Sequence, residues 1–113
     1  MSVILYHNPK CSTSRKAVDL MADKGVQVEV VEYLKAGWDA ATLDRLAQKT
    51  GLGLKGLLRK REARTGELIE AGASDDQIRA EMITNPVLVE RPIIETDKGA
   101  RIGRPLEAVL EVL

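Results

Sequence analysis

Residues 3–15 read VILYHNPKCSTSR, and this stretch decides how the fold begins. The apolar run at 3–6 predicts a short buried strand. The strand is expected to end near Asn8, because a residue that precedes a proline is disfavoured in helical backbone. A helical pattern starts directly afterwards, so Cys11 is predicted to lie at or next to the N-terminus of a helix.

Cys11 is the only cysteine in the 113 residues, and its position makes it a candidate nucleophile. Unpaired backbone N–H groups and the positive end of the helix dipole favour thiolate over thiol there, and Lys10 and Arg15 add positive charge nearby. The same N–H groups make this loop a candidate anion site. The alternative is an inert, half-buried thiol, because free cysteines often serve as small core residues.

The composition argues against several classes of partner. Lys and Arg together number 17, as do Asp and Glu, so the formal net charge is zero, and aromatic residues make up only 3%. The chain therefore offers neither a strong positive field nor an aromatic stacking platform, and no nucleic-acid partner is expected. One His and one Cys do not supply the grouped ligands of a metal site, so no metal is expected.

Length and hydropathy bound the organisation of the chain. A chain of 113 residues can bury a core without disulfides or metal, so residues 1–113 are expected to form one domain. The N-terminal segment lacks the pattern of a secretion signal, and no apolar stretch approaches the length that spans a membrane. We expect a cytoplasmic monomer with a reduced thiol and no membrane partner.

Hydrophobic spacing predicts the order of the first elements. The helix after Cys11 is expected to end at Gly25, and alternating valines at 26–30 predict a second strand. Strand, helix and strand in this order form a right-handed crossover with two parallel strands. A mostly helical insert at about 39–84 follows this unit.

Local signals divide the insert into helices. Asp39 can cap a helix that ends at Gly51, and the leucines at 54–58 predict a short helix. Ser74 begins a capping box that opens a further helix, which is expected to stop before Pro86.

The C-terminal part predicts a hairpin and a last helix. Strands at 93–95 and 100–102 flank a turn in which Gly99 can adopt positive φ, and Pro105 suits the first turn of a helix. The apolar face of that helix is predicted to consist of Leu106, Val109, Leu110 and Leu113. The fold class is therefore α/β: a four-stranded mixed sheet with flanking helices, in the order β-α-β, helical insert, β-β-α.

Five short motifs together resemble one known family. They are His7-Asn8-Pro9-x-Cys11-x-Thr13-Ser14-Arg15, Leu57-Leu58-Arg59-Lys60, Asn85-Pro86, Arg91-Pro92-Ile93 and Gly103-Arg104-Pro105. In this order and spacing they resemble the glutaredoxin-coupled arsenate reductases, whose thioredoxin-like fold carries a helical insert. The resemblance runs from residue 2 to the C-terminus, and five motifs in register are far more specific than any one of them.

The resemblance implies roles for five residues. Cys11 corresponds to the nucleophile of the family. Its three oxyanion-binding arginines correspond to Arg59, Arg91 and Arg104, and Pro92 corresponds to the cis-proline that faces the cysteine in thioredoxin-like folds. The chemistry agrees, because a thiolate that attacks an arsenate anion brings two negative charges together. A guanidinium stays charged and can bind two oxygens at once.

The resemblance also implies the substrate and the reductants. Arsenate or a similar oxyanion would form an adduct with Cys11, glutathione would reduce the arsenic and leave a mixed disulfide, and glutaredoxin would clear that disulfide. Glutathione is then a co-substrate, and no bound cofactor is expected. The single cysteine fits this scheme, because it excludes an internal resolving thiol.

Several of these residues have a second interpretation. Lys60 or Arg61 could point inward in place of Arg59, which could equally be a solvated charge. Arg91 and Arg104 could be surface residues that happen to precede prolines.

The supporting residues of the site are His7, Ser14, Arg15 and Pro92. His7 could tune the thiolate electrostatically, or its ring could hydrogen-bond to the loop backbone. Ser14 could donate its hydroxyl to the thiolate or be an ordinary residue of the first helical turn. Trp38, at the edge of the insert, is expected to be a packing residue.

Two other functions share this sequence pattern. A glutathione-dependent thiol oxidoreductase with a different substrate would use the same residues, because fold and site do not fix the substrate. Regulators of the Spx type bind RNA polymerase with the same fold and arginine pattern. They typically carry a Cys-x-x-Cys switch, and Ser14 occupies the position of its second cysteine, which argues against that reading.

Overall fold

The computed structural model describes residues 2–113, which separate into two compact units. The sheet unit combines the chain up to Ala36 with Arg91–Leu113, and the helical unit is the continuous segment Gly37–Glu90. The helical unit corresponds to the insert predicted at about 39–84. None of the described helices is long and apolar enough to cross a membrane.

Four strands of the described chain form one sheet in the sheet unit. They are β1 (Ile4–His7), β2 (Glu29–Glu32), β3 (Ile93–Thr96) and β4 (Gly99–Ile102). Their order is β2-β1-β3-β4, with β1 and β2 parallel and the other two neighbouring pairs antiparallel. The predicted mixed sheet, its parallel pair and its hairpin are confirmed.

The described part of the sheet unit also contains three helices. They are α1 (Ser12–Asp23), the short α2 (Tyr33–Ala36) and a C-terminal 3₁₀ helix (Leu106–Val112). Leu5 and Ile94 of the sheet are fully buried in a cluster with α1 and the 3₁₀ helix. Burying each such aliphatic side chain contributes about 1.5–3 kcal/mol, so this cluster fixes α1, and with it Cys11, on the sheet.

The second strand lies three residues later than its valine pattern predicts. At the end of α1, Gly25 adopts a φ of 68° and donates its N–H to Ala22, while the Val26 N–H bonds to the Met21 carbonyl. This is a Schellman ending, and it uses the backbone of Val26 before strand pairing can begin. Val26 and Val28 instead pack against the core from the connecting segment.

The last helix is 3₁₀ rather than α, and its start differs from the prediction. Pro105 precedes the helix in an extended conformation, so it does not belong to the first turn. Leu106, Val109 and Val112 recur every three residues, and this spacing places them on one side of a helix with three residues per turn. Val112 is therefore buried, although the predicted apolar face did not include it.

The helical unit consists of four α-helices and one 3₁₀ helix, all within the described residues. They are α3 (Ala40–Thr50), α4 (Gly53–Leu57), α5 (Ala63–Glu70), α6 (Asp75–Thr84) and the 3₁₀ helix Pro86–Leu88. The predicted helix ends are confirmed, because Asp39 accepts from the Thr42 N–H and Ser74 forms a capping box with Gln77. The separate helix α5 carries no such cap and was not predicted.

A close contact at Gly103 generates a prediction about stability. A Cβ atom at Gly103 would lie 2.9 Å from the Pro92 ring and 3.3 Å from a Val109 methyl. Gly103→Ala should therefore destabilise the protein by about 1–3 kcal/mol, as overpacking does in other cores. Urea unfolding followed by circular dichroism measures the change.

Gly66→Ala is the matched control for this prediction. Gly66 lies inside α5, and a Cβ there would meet no atom within 4 Å. Its replacement should stabilise the protein by about 0.5–1 kcal/mol, because alanine is the better helix former. Equal effects of the two substitutions would show that the contact at Gly103 is not tight.

Candidate active site

Cys11 occupies the N-cap position of α1, as the sequence predicts. Its backbone is extended, with φ −95° and ψ 122°, and its carbonyl accepts the Arg15 N–H at 3.0 Å. Upstream, the Cys11 N–H donates to the Asn8 carbonyl at 3.0 Å, and the buried Asn8 side chain accepts the Lys10 N–H. These bonds hold the loop so that the free, half-buried thiol stands at the start of the helix.

Burial is the largest single influence on the pKa of the Cys11 thiol, and it raises that pKa by removing water from the thiolate. Three sources oppose it: the backbone N–H of Ser14, the hydrogen bond and charge of Arg91, and the backbone N–H of Thr13. Together they lower the pKa of Cys11 below its ordinary value. A thiol whose pKa is lowered in this way carries more thiolate at neutral pH than an ordinary cysteine does.

Two arginines of the sheet unit reach the Cys11 sulfur. Arg91 hydrogen-bonds to the thiol, and Arg104 Nη2 donates to Sγ at 3.6 Å. Arg104 Nε also donates to the Arg91 carbonyl at 2.9 Å. The two side chains thus stand together at the thiol, as the family resemblance implies, and are not unrelated surface residues.

A proline follows each of these arginines through a cis peptide bond. The cis bond between Arg91 and Pro92 is the one that the resemblance implies, and the bond between Arg104 and Pro105 is a second that the sequence analysis missed. The Gly103 N–H donates to the Pro92 carbonyl at 2.8 Å and joins the two segments. This hydrogen bond holds together the backbone segments that carry the two arginines.

His7 and Ser14 form a side-chain pair that neither of their predicted roles describes. His7 Nδ1 and Ser14 Oγ lie 2.6 Å apart, and the fully buried Ser14 hydroxyl also accepts the Asn8 N–H at 3.0 Å. The ring therefore contacts a hydroxyl rather than the loop backbone. The Ser14 hydroxyl supports the loop, while the Ser14 backbone N–H serves the thiolate.

The surroundings of His7 disfavour the protonated form of its ring. Burial lowers the pKa of His7, Glu32 opposes this change and Arg15 reinforces it, so the pKa lies below its ordinary value. Through the Ser14 hydroxyl, the ring is linked to the backbone N–H of Asn8 in the loop that carries Cys11.

The exposed Arg15 side chain supports the same loop from outside. Arg15 Nη1 donates to the Pro9 carbonyl at 2.9 Å. Asn8 was absent from the predicted supporting residues, although the pair Asn-Pro is a recognised signal for a side chain that bonds to its own loop.

Arg59 lies in the helical unit and is the buried member of its basic run. Lys60 and Arg61 are exposed, whereas Arg59 Nη1 donates to Glu90 Oε1 at 2.9 Å and Arg59 Nε lies 3.9 Å from Glu62 Oε1. The residues directly before Arg59 and Glu90 form an antiparallel β-bridge, and the Arg59 N–H donates to the Leu88 carbonyl. These backbone contacts hold the Arg59–Glu90 ion pair in place. The assignment of Arg59 to the oxyanion rests on the resemblance and stays a prediction.

No group of three or more His, Cys, Asp or Glu side chains within residues 2–113 is arranged to hold a metal ion. The chemistry available at this site is that of one thiolate, two guanidinium groups and the N–H groups of a helix start. Such a set favours a small oxyanion that the sulfur can attack.

Comparison with known proteins agrees with this geometry. The profile of the ArsC family matches residues 6–112, nearly the whole chain. The chain belongs to the ArsC family. Every motif residue of the sheet unit lies within the matched residues.

Relatives of this ArsC-family chain include proteins named for arsenate reduction. A Synechocystis protein named arsenate reductase ArsI2 is 39% identical over 98% of this chain and 81% of its own length. The Escherichia coli protein YfgD, described as uncharacterized, is 42% identical over 98% of this chain and 96% of its own length. A solved structure, an arsenate reductase from Vibrio cholerae, is 41% identical and matches 100% of this chain and 98% of its own with a TM-score of 0.91. The thioredoxin-like fold implied by the resemblance is confirmed.

The lowered pKa of Cys11 predicts how fast the thiol is alkylated at different pH values. Because only the thiolate reacts, iodoacetamide should modify folded protein faster than urea-unfolded protein at neutral pH. In a plot of alkylation rate against pH, the inflection of the folded protein should lie at a lower pH than that of the unfolded protein. Arg91→Gln should move this inflection upward, since it removes a hydrogen bond and a positive charge. Arg101→Gln, a change of the same kind on β4, is the control and should leave it in place. Identical inflections for folded and unfolded protein would contradict the activated thiolate.

Proposed function

We propose that this protein reduces arsenate to arsenite through the Cys11 thiolate, with glutathione and glutaredoxin as the reductants. The observation that carries this proposal is the convergence of Arg91 and Arg104 on the sulfur of Cys11, the N-cap residue of α1. An inert thiol has no need of two guanidinium groups. A sulfur that attacks a tetrahedral anion does need them.

The first step forms a bond between sulfur and arsenic. The Cys11 thiolate attacks arsenic, and one arsenate oxygen leaves as water after taking up protons. Negative charge on the remaining oxygens grows near Arg91 and Arg104, and fixed donors stabilise such charge without having to reorganise. Arginine suits this position because it stays protonated at any pH at which the thiolate exists.

The second step reduces the arsenic. The thiolate of glutathione forms a disulfide bond with the Cys11 sulfur, and the electron pair of the sulfur–arsenic bond goes to arsenic. Arsenic(V) becomes arsenic(III), while Cys11 and glutathione are oxidised together to a mixed disulfide. Since the chain has one cysteine, an external thiol has to reduce that disulfide, and glutaredoxin supplies it.

The names of the relatives support arsenate as the substrate. Proteins named arsenate reductase align over nearly the whole of this chain, so both arginine–proline segments and the cysteine loop fall inside the aligned region. A thiol oxidoreductase with another substrate would share these residues, and substrate assays separate the two functions.

The arginine roles predict the kinetics of two variants. Arg91→Ala and Arg104→Ala should each cost about 2–4 kcal/mol of transition-state stabilisation, the range for a fixed donor to a developing oxyanion. Lysine at either position should restore part of this loss, because a point charge cannot make the paired contact of a guanidinium. The measurement is kcat/KM for arsenate in an assay coupled to glutathione and glutaredoxin, with Arg101→Ala as the control. If both alanine variants stay within a few-fold of the wild type, the oxyanion roles are wrong.

The resolving step predicts a defined adduct. After treatment with arsenate and glutathione, intact mass spectrometry should find one glutathione on the protein, and glutaredoxin should remove it. Cys11→Ser should carry none, since a serine hydroxyl is far less nucleophilic at neutral pH. A disulfide-linked dimer as the main product, or arsenite without any adduct, would mean that a different thiol resolves the intermediate.

A further inference from the structure

A cleft of about 410 Å³ opens beside Cys11 in the sheet unit. Its lining includes Thr13, whose N–H serves the thiolate, and Arg104, whose guanidinium lies 3.6 Å from Sγ. The cleft is therefore adjacent to the sulfur without being the thiolate site itself. Its volume falls within the range of roughly 300–1,000 Å³ that is usual for pockets that hold small organic molecules.

Three charged side chains line this cleft, and two of them have no role in the chemistry above. Lys16 on α1 and Glu107 on the C-terminal 3₁₀ helix join Arg104 in the lining. Within the part of the chain that the structure describes, neither Lys16 nor Glu107 forms an ion pair with another side chain. The cleft thus presents two cations and one anion to a ligand. Leu106 adds an apolar wall between them.

We infer that this cleft is the subsite that binds glutathione while its thiol attacks the Cys11 sulfur. Glutathione carries two carboxylates and one ammonium group at neutral pH, the reverse of the charge set formed by Lys16, Arg104 and Glu107. The carboxylates pair with the two cations, and the ammonium group pairs with Glu107. Bound in this way, glutathione holds its thiol beside Sγ. The inference deepens the proposed function, on which it rests for the origin of the oxidised sulfur.

The subsite can be tested without arsenate. Dithiobis(nitrobenzoate) converts Cys11 to a mixed disulfide with thionitrobenzoate. A thiol that attacks the Cys11 sulfur forms a new disulfide and releases the coloured thionitrobenzoate anion, with no net change of oxidation state. The rate is measured with glutathione and with uncharged 2-mercaptoethanol, and mass spectrometry verifies that glutathione ends on Cys11.

The wild-type rate should saturate with glutathione and rise linearly with 2-mercaptoethanol. Lys16→Glu should lower the glutathione rate about tenfold, which corresponds to about 1.4 kcal/mol, and leave the 2-mercaptoethanol rate within about twofold. Glu107→Gln should raise the concentration of glutathione that gives half of the maximal rate. It should not change this concentration for N-acetylglutathione, which lacks the ammonium group. Both side chains are solvent-exposed, so neither change threatens the fold.

Lys10→Glu is the matched control for a general effect of charge. Lys10 is an exposed lysine in the Cys11 loop and does not line the cleft. At about 0.5 M salt, distant charges are screened. Under this condition Lys10→Glu should still react with glutathione in preference to 2-mercaptoethanol, whereas Lys16→Glu should not. Equal losses in the two variants, or no loss in Lys16→Glu, would overturn the subsite.

Failure of the subsite and failure of the proposed function have different signatures. If Lys16→Glu and Glu107→Gln react with glutathione like the wild type while the protein still reduces arsenate, the subsite is wrong and the proposed function stands. If the wild type selects glutathione through Lys16 but produces no arsenite, the subsite stands and the substrate is not arsenate.

Discussion

A negative charge on the half-buried sulfur of Cys11 is the interaction on which the rest of the site depends. Removal of water from this sulfur opposes ionisation and is the largest single influence on its pKa. The thiolate is favoured only because the N–H groups of Ser14 and Thr13 and the guanidinium of Arg91 together outweigh that cost. Each of these donors has to be held in place, and much of the sheet unit serves to hold them.

Two separate parts of the chain supply the donors, and packing aligns them. The N–H groups belong to α1, which the aliphatic cluster around Leu5 and Ile94 fixes against the sheet. The guanidinium groups belong to segments that precede and follow the β3–β4 hairpin, and the bond between the Gly103 N–H and the Pro92 carbonyl joins these segments. Because a side chain at Gly103 would collide with Pro92, a small residue there is part of the geometry of the site.

Features encoded by neighbouring residues could be predicted from the sequence. The Asn-Pro pair located the start of α1 and placed Cys11 at its N-cap, and the capping box at Ser74 located α6. Both signals work because they are local: a proline restricts the residue before it, and a capping box joins residues only three positions apart.

Other features depend on contacts that a linear pattern does not carry. The Schellman ending of α1 uses backbone groups up to Val26, so β2 starts later than the valine alternation predicts. The alternation alone does not indicate how many residues a helix ending occupies. The pairing of His7 with Ser14 joins a strand to a helix, so their predicted roles missed the contact. The C-terminal apolar residues fit both α and 3₁₀ spacing in part, so their spacing alone does not distinguish the two helix types, and the structure has the 3₁₀ form. The prediction that Arg91 and Arg104 lie together at Cys11 rested on the family resemblance, because no local sequence pattern indicates that these distant residues meet.

The most direct test of the central claim is arsenite formation by purified protein supplied with arsenate, glutathione and glutaredoxin. We expect continuous turnover that requires arsenate, glutathione and glutaredoxin and that stops completely in Cys11→Ser. Other tetrahedral oxyanions should inhibit it, because they compete with arsenate for the two arginines. Absence of arsenite from a preparation whose Cys11 is fully reduced and rapidly alkylated at neutral pH would contradict the claim, because it would leave an activated thiolate with a different substrate.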